Sequence, residues 1–253
     1  MQVKIRLFAS LRERAGRDTI ELENVPPGST IDDLKRQLSQ EHPVLGDLGS
    51  VAGVIGTSYA SPGTVVEDGA DVAFLPPVSG GAPPMDGGDG EEGALEKGVF
   101  ELRSDPLDVA SIQARVTHPS CGAIVLFTGV TRETNRGQDV VQLDYEAFAE
   151  MTGPEMGRIF EDCVAAHAPP EGPNDGSGGG PGGGSAQRLR MLAVHRIGVV
   201  GVGEPSVVIA VASPHRDAAF QAARFLIDTL KARLPVWKKE VYGDGHHWIG
   251  DRS

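Results

Sequence analysis

A chain of 253 residues, at a soft prior of ~150 residues per domain, holds one or two domains, and either is long enough to bury a core. Hydrophobic residues at 40% and charged residues at 23% describe a soluble globular protein, while 35 acids against 23 Lys and Arg leave a formal charge of -12, which argues against general nucleic-acid binding. No apolar run approaches the ~18 residues of a membrane helix, and Lys4 and Arg6 interrupt the first apolar stretch, so neither a membrane span nor a secretory signal is expected and the cytoplasm is the expected compartment.

Val3, Ile5 and Leu7 alternate with Lys4 and Arg6, the period of a half-buried strand, and 19–23 supplies a second. Ser29 or Thr30 can cap a helix from Ile31 to about Gln40, with Ile31, Leu34 and Leu38 on one face and Pro43 ending it. Stretches 51–55 and 71–75 read as further strands, separated by the turn signals Ser61-Pro62-Gly63 and Glu67-Asp68-Gly69. Together these make an α+β plan over residues 1–81. The next stretch, APPMDGGDGEEG, has four acids, no base and Met85 as its single large apolar residue. It cannot bury enough surface to offset its ordering entropy, so 82–97 is expected to be a flexible acidic linker.

Beyond the linker, 98–102 reads as a strand and 107–116 as a short helix following Pro106. Apolar strands are expected at 123–131 and 140–145, joined by the polar turn 133–137, and Met156, Ile159, Phe160 and Val164 give 152–166 helical spacing. Residues 168–187 read APPEGPNDGSGGGPGGGSAQ, a disordered Gly-rich insertion within the second domain. Strands at 189–197 and 206–212 precede a helix expected to be capped by Ser213, with Pro214 at its first position and a buried stripe of Phe220, Ala223, Ile227 and Leu230. Pro235 stops that helix near Arg233, and 236–242 returns as a strand. Cys121 and Cys163, without CxxC or metal-ligand spacing, read as reduced packing residues.

Three features carry chemistry. The first domain ends Phe74-Leu75-Pro76-Pro77-Val78-Ser79-Gly80-Gly81, where two prolines keep the chain extended and two glycines carry no side chain to obstruct a narrow cleft, so the tail can thread into an active site. Lys231 and Lys238 flank Leu234-Pro235, a turn able to bring two ammonium groups to one pocket, although a surface lysine is more often only a solvated charge. Ser213-Pro214-His215-Arg216 at a helix start can hold a phosphate or can simply cap, and Arg132 and Arg136 lie on the 131–137 turn.

Residues 1–81 resemble the small subunit of molybdopterin synthase, a ubiquitin-like (β-grasp) sulfur carrier, through FASLRERAG and EDGADVAFLPPVSGG. Residues 98–253 resemble the large subunit of the same family, an α/β hammerhead-type domain with a mostly antiparallel sheet. This second likeness rests on Phe127-Thr128-Gly129-Val130-Thr131-Arg132, Val194-His195-Arg196-Ile197-Gly198, Ser213-Pro214-His215-Arg216 and the stretch LKARLPVWKKE from Leu230. The resemblance implies that Lys231 and Lys238 are catalytic, that Phe127, Arg132, His215 and Arg216 line a pterin and phosphate site, and that the second domain forms a homodimer. Trp248 and Arg252 fit a further family pattern, an aromatic followed four residues later by a base reaching across the dimer.

The family activity would be sulfur transfer from a thiocarboxylate on Gly81 to cyclic pyranopterin monophosphate, with an E1-like adenylating enzyme and a sulfur donor as partners and with neither metal nor redox cofactor. Two departures from the family are visible: the insertion at 168–187, and the fusion of carrier ahead of catalytic part, which leaves Gly81 in a peptide bond to Ala82. A carrier for another pathway, such as thiazole synthesis, or a non-catalytic pterin-binding fusion are the alternative readings.

Overall fold

The computed structural model describes residues 1–76, 91–168, 189–243 and 245–249, arranged as two compact units built on 1–79 and 80–246. The first unit contains Val3–Leu7 (β1), Ala9–Ala15 (α1), Thr19–Leu22 (β2), Ile31–Glu41 (α2), Ala52–Ile55 (β3), Ser58–Ala60 (β4) and Asp71–Leu75 (β5). Its sheet runs β2-β1-β5-β3-β4, with β1 and β5 parallel and the other pairs antiparallel, which is the β-grasp arrangement. Thr30 caps α2 through a capping box with Asp33, and Ile31, Leu34 and Leu38 pack onto Val3, Ile5, Ile20 and Phe74. A Cβ at Gly53 would come within 2.6 Å of Ile31 Cγ2, so glycine on β3 sets how closely the helix approaches the sheet. β5 lies between β1 and β3, and its last four residues are buried.

The second unit contains Glu91–Lys97 (α3), Val99–Arg103 (β6), Val109–Val116 (α4), Ala123–Val130 (β7), Thr134–Asn135 (β8), Gln138–Ala147 (β9), Ala149–His167 (α5), Arg190–Arg196 (β10), Gly198–Gly201 (β11), Pro205–Ser213 (β12), Arg216–Arg233 (α6), Val236–Tyr242 (β13) and Gly245–Ile249 (β14). One sheet is ordered β6-β10-β12-β7, antiparallel except for the β6/β10 pair. A second is ordered β11-β9-β13-β14, with β8 folded back on β9.

The first sheet is buried on both faces. Met191, Ala193, Ile209 and Val211 pack with α5 and α6 through Met156, Ile159, Leu226 and Leu230. Their neighbours Leu192, Val194, Val208 and Ala210 meet Leu95, Ile112 and Val116 on the opposite side. Two buried faces account for the uninterrupted apolar runs of β10 and β12, where alternation would mark a half-exposed strand. No helix among the described residues is long and apolar enough to cross a membrane.

Three expectations are corrected. The last seven residues of the expected 82–97 linker form α3, because Leu95 is buried to 1% exposure and anchors them to the sheet. The expected strands at 123–131 and 140–145 are present as β7 and β9, which belong to different sheets. Ser213 does not cap α6: it pairs with Ala123 as the last residue of β12, and His215 takes the cap position before Arg216. Phe220 leaves the expected stripe at 62% exposure, since small Ala219, Ala222 and Ala223 allow the helix to pack on the adjoining face. Cys163 is buried, its thiol pushed up to about 12 by that burial, and Cys121 is partly buried; both are free. Residues 169–188, nearly all of the Gly-rich insertion, lie outside the described residues.

Candidate active site

The link from α6 to β13 builds the first part of the site. Leu234 closes the helix by donating its N–H to Leu230, and the N–H of Phe148 donates to the Pro235 carbonyl at 3.0 Å, which pins the turn from the α5 side. Arg233 adds a second anchor, donating to Glu155 at 2.7 Å and to Asp162 at 2.6 Å on α5. Lys231, exposed in the last turn, then has its ammonium 5.9 Å from the centre of the Phe127 ring on β7. That is the outer range of a cation–π contact, and the helix C-terminus favours a cation at the same place.

Alternation along β13 puts Lys238, Glu240 and Tyr242 on one face. Lys238 Nζ is 2.8 Å from Glu240 Oε1, while Oε2 accepts from the Tyr242 hydroxyl at 2.5 Å and from Asn135 Nδ2 at 2.7 Å. The Glu240 side chain is 4% exposed. Burial by itself would raise its pKa, but the bonds from Lys238, Tyr242 and Asn135 outweigh that and hold the carboxyl below the usual glutamate range. Asn135 also accepts from Arg132 Nη2 at 3.5 Å. The hairpin places it there: Asn135 pairs with Gln138 around Arg136 and Gly137, whose φ values of 51° and 82° are those of a type I′ turn.

The residue before Arg132 is clamped as well, because Thr131 donates its N–H to the Glu204 carbonyl and accepts from Gly203 N–H. Glu204 in turn binds Arg196 at 2.7 Å and the Gly201 N–H at 2.9 Å. The Val194-to-Gly198 motif therefore works from the interior. His195 is buried, its pKa pushed down to about 4 by desolvation against a smaller opposing effect of the Arg196 carbonyl, so the ring is neutral and Nδ1–H donates to that carbonyl at 2.8 Å. It packs edge-on against Tyr145, which lies opposite Lys238 on β9.

Thus Phe127 meets Lys231, and Arg132 joins Lys238 through Asn135 and Glu240. His215 and Arg216 stand apart. Both are exposed at the start of α6, and Arg216 is separated from Lys231 by about 22 Å of helix at ~1.5 Å per residue, too far for both to hold one phosphate within one chain. Gly81 and Arg252 lie outside the described residues. Asn135, Glu240 and Tyr242 were not among the expected site residues; the i, i+2 spacing of Lys238 and Glu240 on a strand was the available signal for one of them.

Residues 102–233 match the family model described as MoaE protein, just over half of the chain. The chain belongs to the MoaE protein family. Residues 5–81 match the model described as ThiS family, so a ThiS-like domain precedes the MoaE domain in the same polypeptide. The molybdopterin synthase catalytic subunit of Taeniopygia guttata is 39% identical over 153 residues, 60% of this chain and 86% of that protein. The protein of the same name from Bacillus subtilis (strain 168) is 36% identical over 160 residues, 60% of this chain and 85% of its own. Among solved structures, molybdopterin synthase from Staphylococcus aureus shares 30% identity at a TM-score of 0.49, covering 60% of this chain and 96% of that one. SAMP1 from Haloferax volcanii shares 31% identity at a TM-score of 0.29, covering 32% of this chain and all of its own. The MoaE match contains Phe127, Arg132, His215, Arg216 and Lys231 and ends just before Lys238.

Proposed function

We propose that this chain is a molybdopterin synthase with its sulfur carrier fused in front, forming the dithiolene of molybdopterin from cyclic pyranopterin monophosphate. The observation that carries this reading is the pair of lysines flanking the α6–β13 turn, Lys231 over Phe127 and Lys238 tied through Glu240 and Asn135 to Arg132. A thiocarboxylate and a phosphate are both anions, and a chain of net charge -12 repels them unless the site is locally basic. Lys231 contacts the Gly81 carbonyl and the tetrahedral or covalent intermediate that follows sulfur transfer. Lys238, held by a buried carboxylate, orients the pterin. An E1-like adenylating enzyme and a sulfur donor reload Gly81 between transfers, and the scheme calls for no metal or redox cofactor.

His215, Arg216 and Arg132 receive the phosphate. Because α6 holds Arg216 about 22 Å from Lys231, a homodimer in which one copy supplies the helix start and the other the lysines completes the site. Incubating thiocarboxylated protein with the cyclic pterin tests the reading; formation of the dithiolene supports it, and its absence favours a carrier for another pathway or a non-catalytic pterin-binding fusion. Arg216→Ala is expected to weaken pterin binding at least ten-fold by calorimetry while slowing single-turnover chemistry at saturation less. Unchanged affinity would remove Arg216 from phosphate recognition.

A further inference from the structure

We propose that Asn135 is a positioning residue that locks the Arg132 loop to the Lys238–Glu240 pair, so that the two cationic groups keep a fixed separation. The inference rests on the synthase reading and adds to it a residue with no reacting atom of its own. Chemistry settles which way the Asn135 amide points: a carboxylate can only accept and a guanidinium can only donate, so Nδ2 faces Glu240 at 2.7 Å and Oδ1 faces Arg132 at 3.5 Å. The backbone beneath it is held by the pairing of Asn135 with Gln138 and of Thr134 with Asp139. The amide is therefore a short arm from a rigid hairpin to a strand more than a hundred residues later in the chain.

At the other end of that arm the carboxylate accepts three bonds. Glu240 takes Lys238 on one oxygen and Tyr242 with Asn135 on the other, and its side chain is 4% exposed. A buried acceptor that loses a donor has no water to replace it, so the loop cannot drift from β13 without breaking a bond that the interior does not restore. Arg132 is exposed, and a long flexible cation gains its aim from what holds its loop. Clamping of Thr131 by the 203–204 turn fixes one side of Arg132, and Asn135 fixes the other.

Asn135→Leu removes the contacts to Glu240, Tyr242 and Arg132 at near-constant volume, and Asn135→Asp keeps the acceptor for Arg132 but sets a second carboxylate against Glu240. With protein cleaved after Gly81 and loaded with sulfur, both are expected to lower kcat/KM for the cyclic pterin at least ten-fold, more than the accompanying fall in thermal midpoint from the bond lost on Glu240 accounts for. The acid limb of the rate profile should move up by about one pH unit, because losing a donor or gaining a negative neighbour lets Glu240 protonate sooner and release Lys238. The titratable groups facing Glu240 are Lys238 and Tyr242 on its own strand and Tyr145 on β9, while on the hairpin loop Arg132 reaches Asn135 and Arg136 acts on Tyr242.

Titration of the Glu240 carboxyl by carbon NMR in the native chain and in Asn135→Leu reads the same coupling without any reaction. If native protein makes no dithiolene but the Glu240 titration moves in Asn135→Leu, the synthase reading fails and the coupling stands. Should Asn135→Leu unfold, Tyr242→Phe removes one donor from the same oxygen, leaves the hairpin intact, and is expected to move the titration in the same direction. An Asn135→Leu variant with kcat/KM within two-fold of native, an unmoved Glu240 titration, or a loss that only follows the thermal midpoint overturns the proposal.

Discussion

Lys231→Ala is expected to yield a folded protein that makes no product. The side chain is exposed, and the contacts removed are a cation–π approach at 5.9 Å and a favourable charge at a helix C-terminus, together worth about 1 kcal/mol. The turn that follows is pinned independently by Phe148 and Arg233, so β13 and Lys238 should keep their places. Removing the cation that faces developing negative charge, by contrast, costs about 10²–10³-fold where a single oxyanion donor is lost, and more if Lys231 also carries a covalent intermediate. Product formation and thermal unfolding measured on one preparation separate the two effects. Near-native turnover would take Lys231 out of the mechanism. Lys238→Ala is a less clean probe, because it strips the partner from a buried carboxylate and should cost stability of about 1–3 kcal/mol as well as activity.

The second large effect concerns the junction. A thiocarboxylate forms only on a free α-carboxylate, and the carboxyl carbon of Gly81 is bound to the nitrogen of Ala82. The uncut chain is therefore expected to accept no sulfur at all, and the active protein to be cleaved directly after Gly81. The following sequence is polar and glycine-rich, the composition at which proteases cut. Intact-mass measurement of protein from its native host should show a fragment ending at Gly81 that remains associated with the rest. A fully active preparation containing only uncut chain would refute processing and require another sulfur donor.

Much of the architecture was legible in the sequence because burial writes itself as period. Thr30, Asp33 and the Ile31, Leu34, Leu38 stripe specify α2 from local chemistry alone, and Pro235 marks the α6–β13 turn. The failures have equally physical causes. α1 buries only Ala9, Ser10 and Leu11, too short a stripe to show helical period. Ser213-Pro214 has the form of a helix start, and only the long-range pairing of Ser213 with Ala123 keeps it extended. Of the site, spacing drew attention to Lys231 and Lys238 without deciding between a pocket and solvated charges, and it was the family resemblance that assigned them and Arg132, whereas the bond from Asn135 to Glu240 joins residues far apart in the chain, where no local pattern reaches.

The place of β5 in the first sheet has a further consequence. Leu75, the last residue of a strand held on both sides, is a fixed mooring, and Gly81 is the sixth residue beyond it. A fully extended chain of that length reaches about 20 Å at ~3.3 Å per residue. If the chain is cut after Gly81 as expected above, any enzyme that loads or unloads it must receive the glycine within that radius of the folded body. In the proposed scheme a tether of that length would set a millimolar effective concentration for the carrier's end at a site within reach, so docking and turnover of the carrier would limit delivery more than a search for the tip.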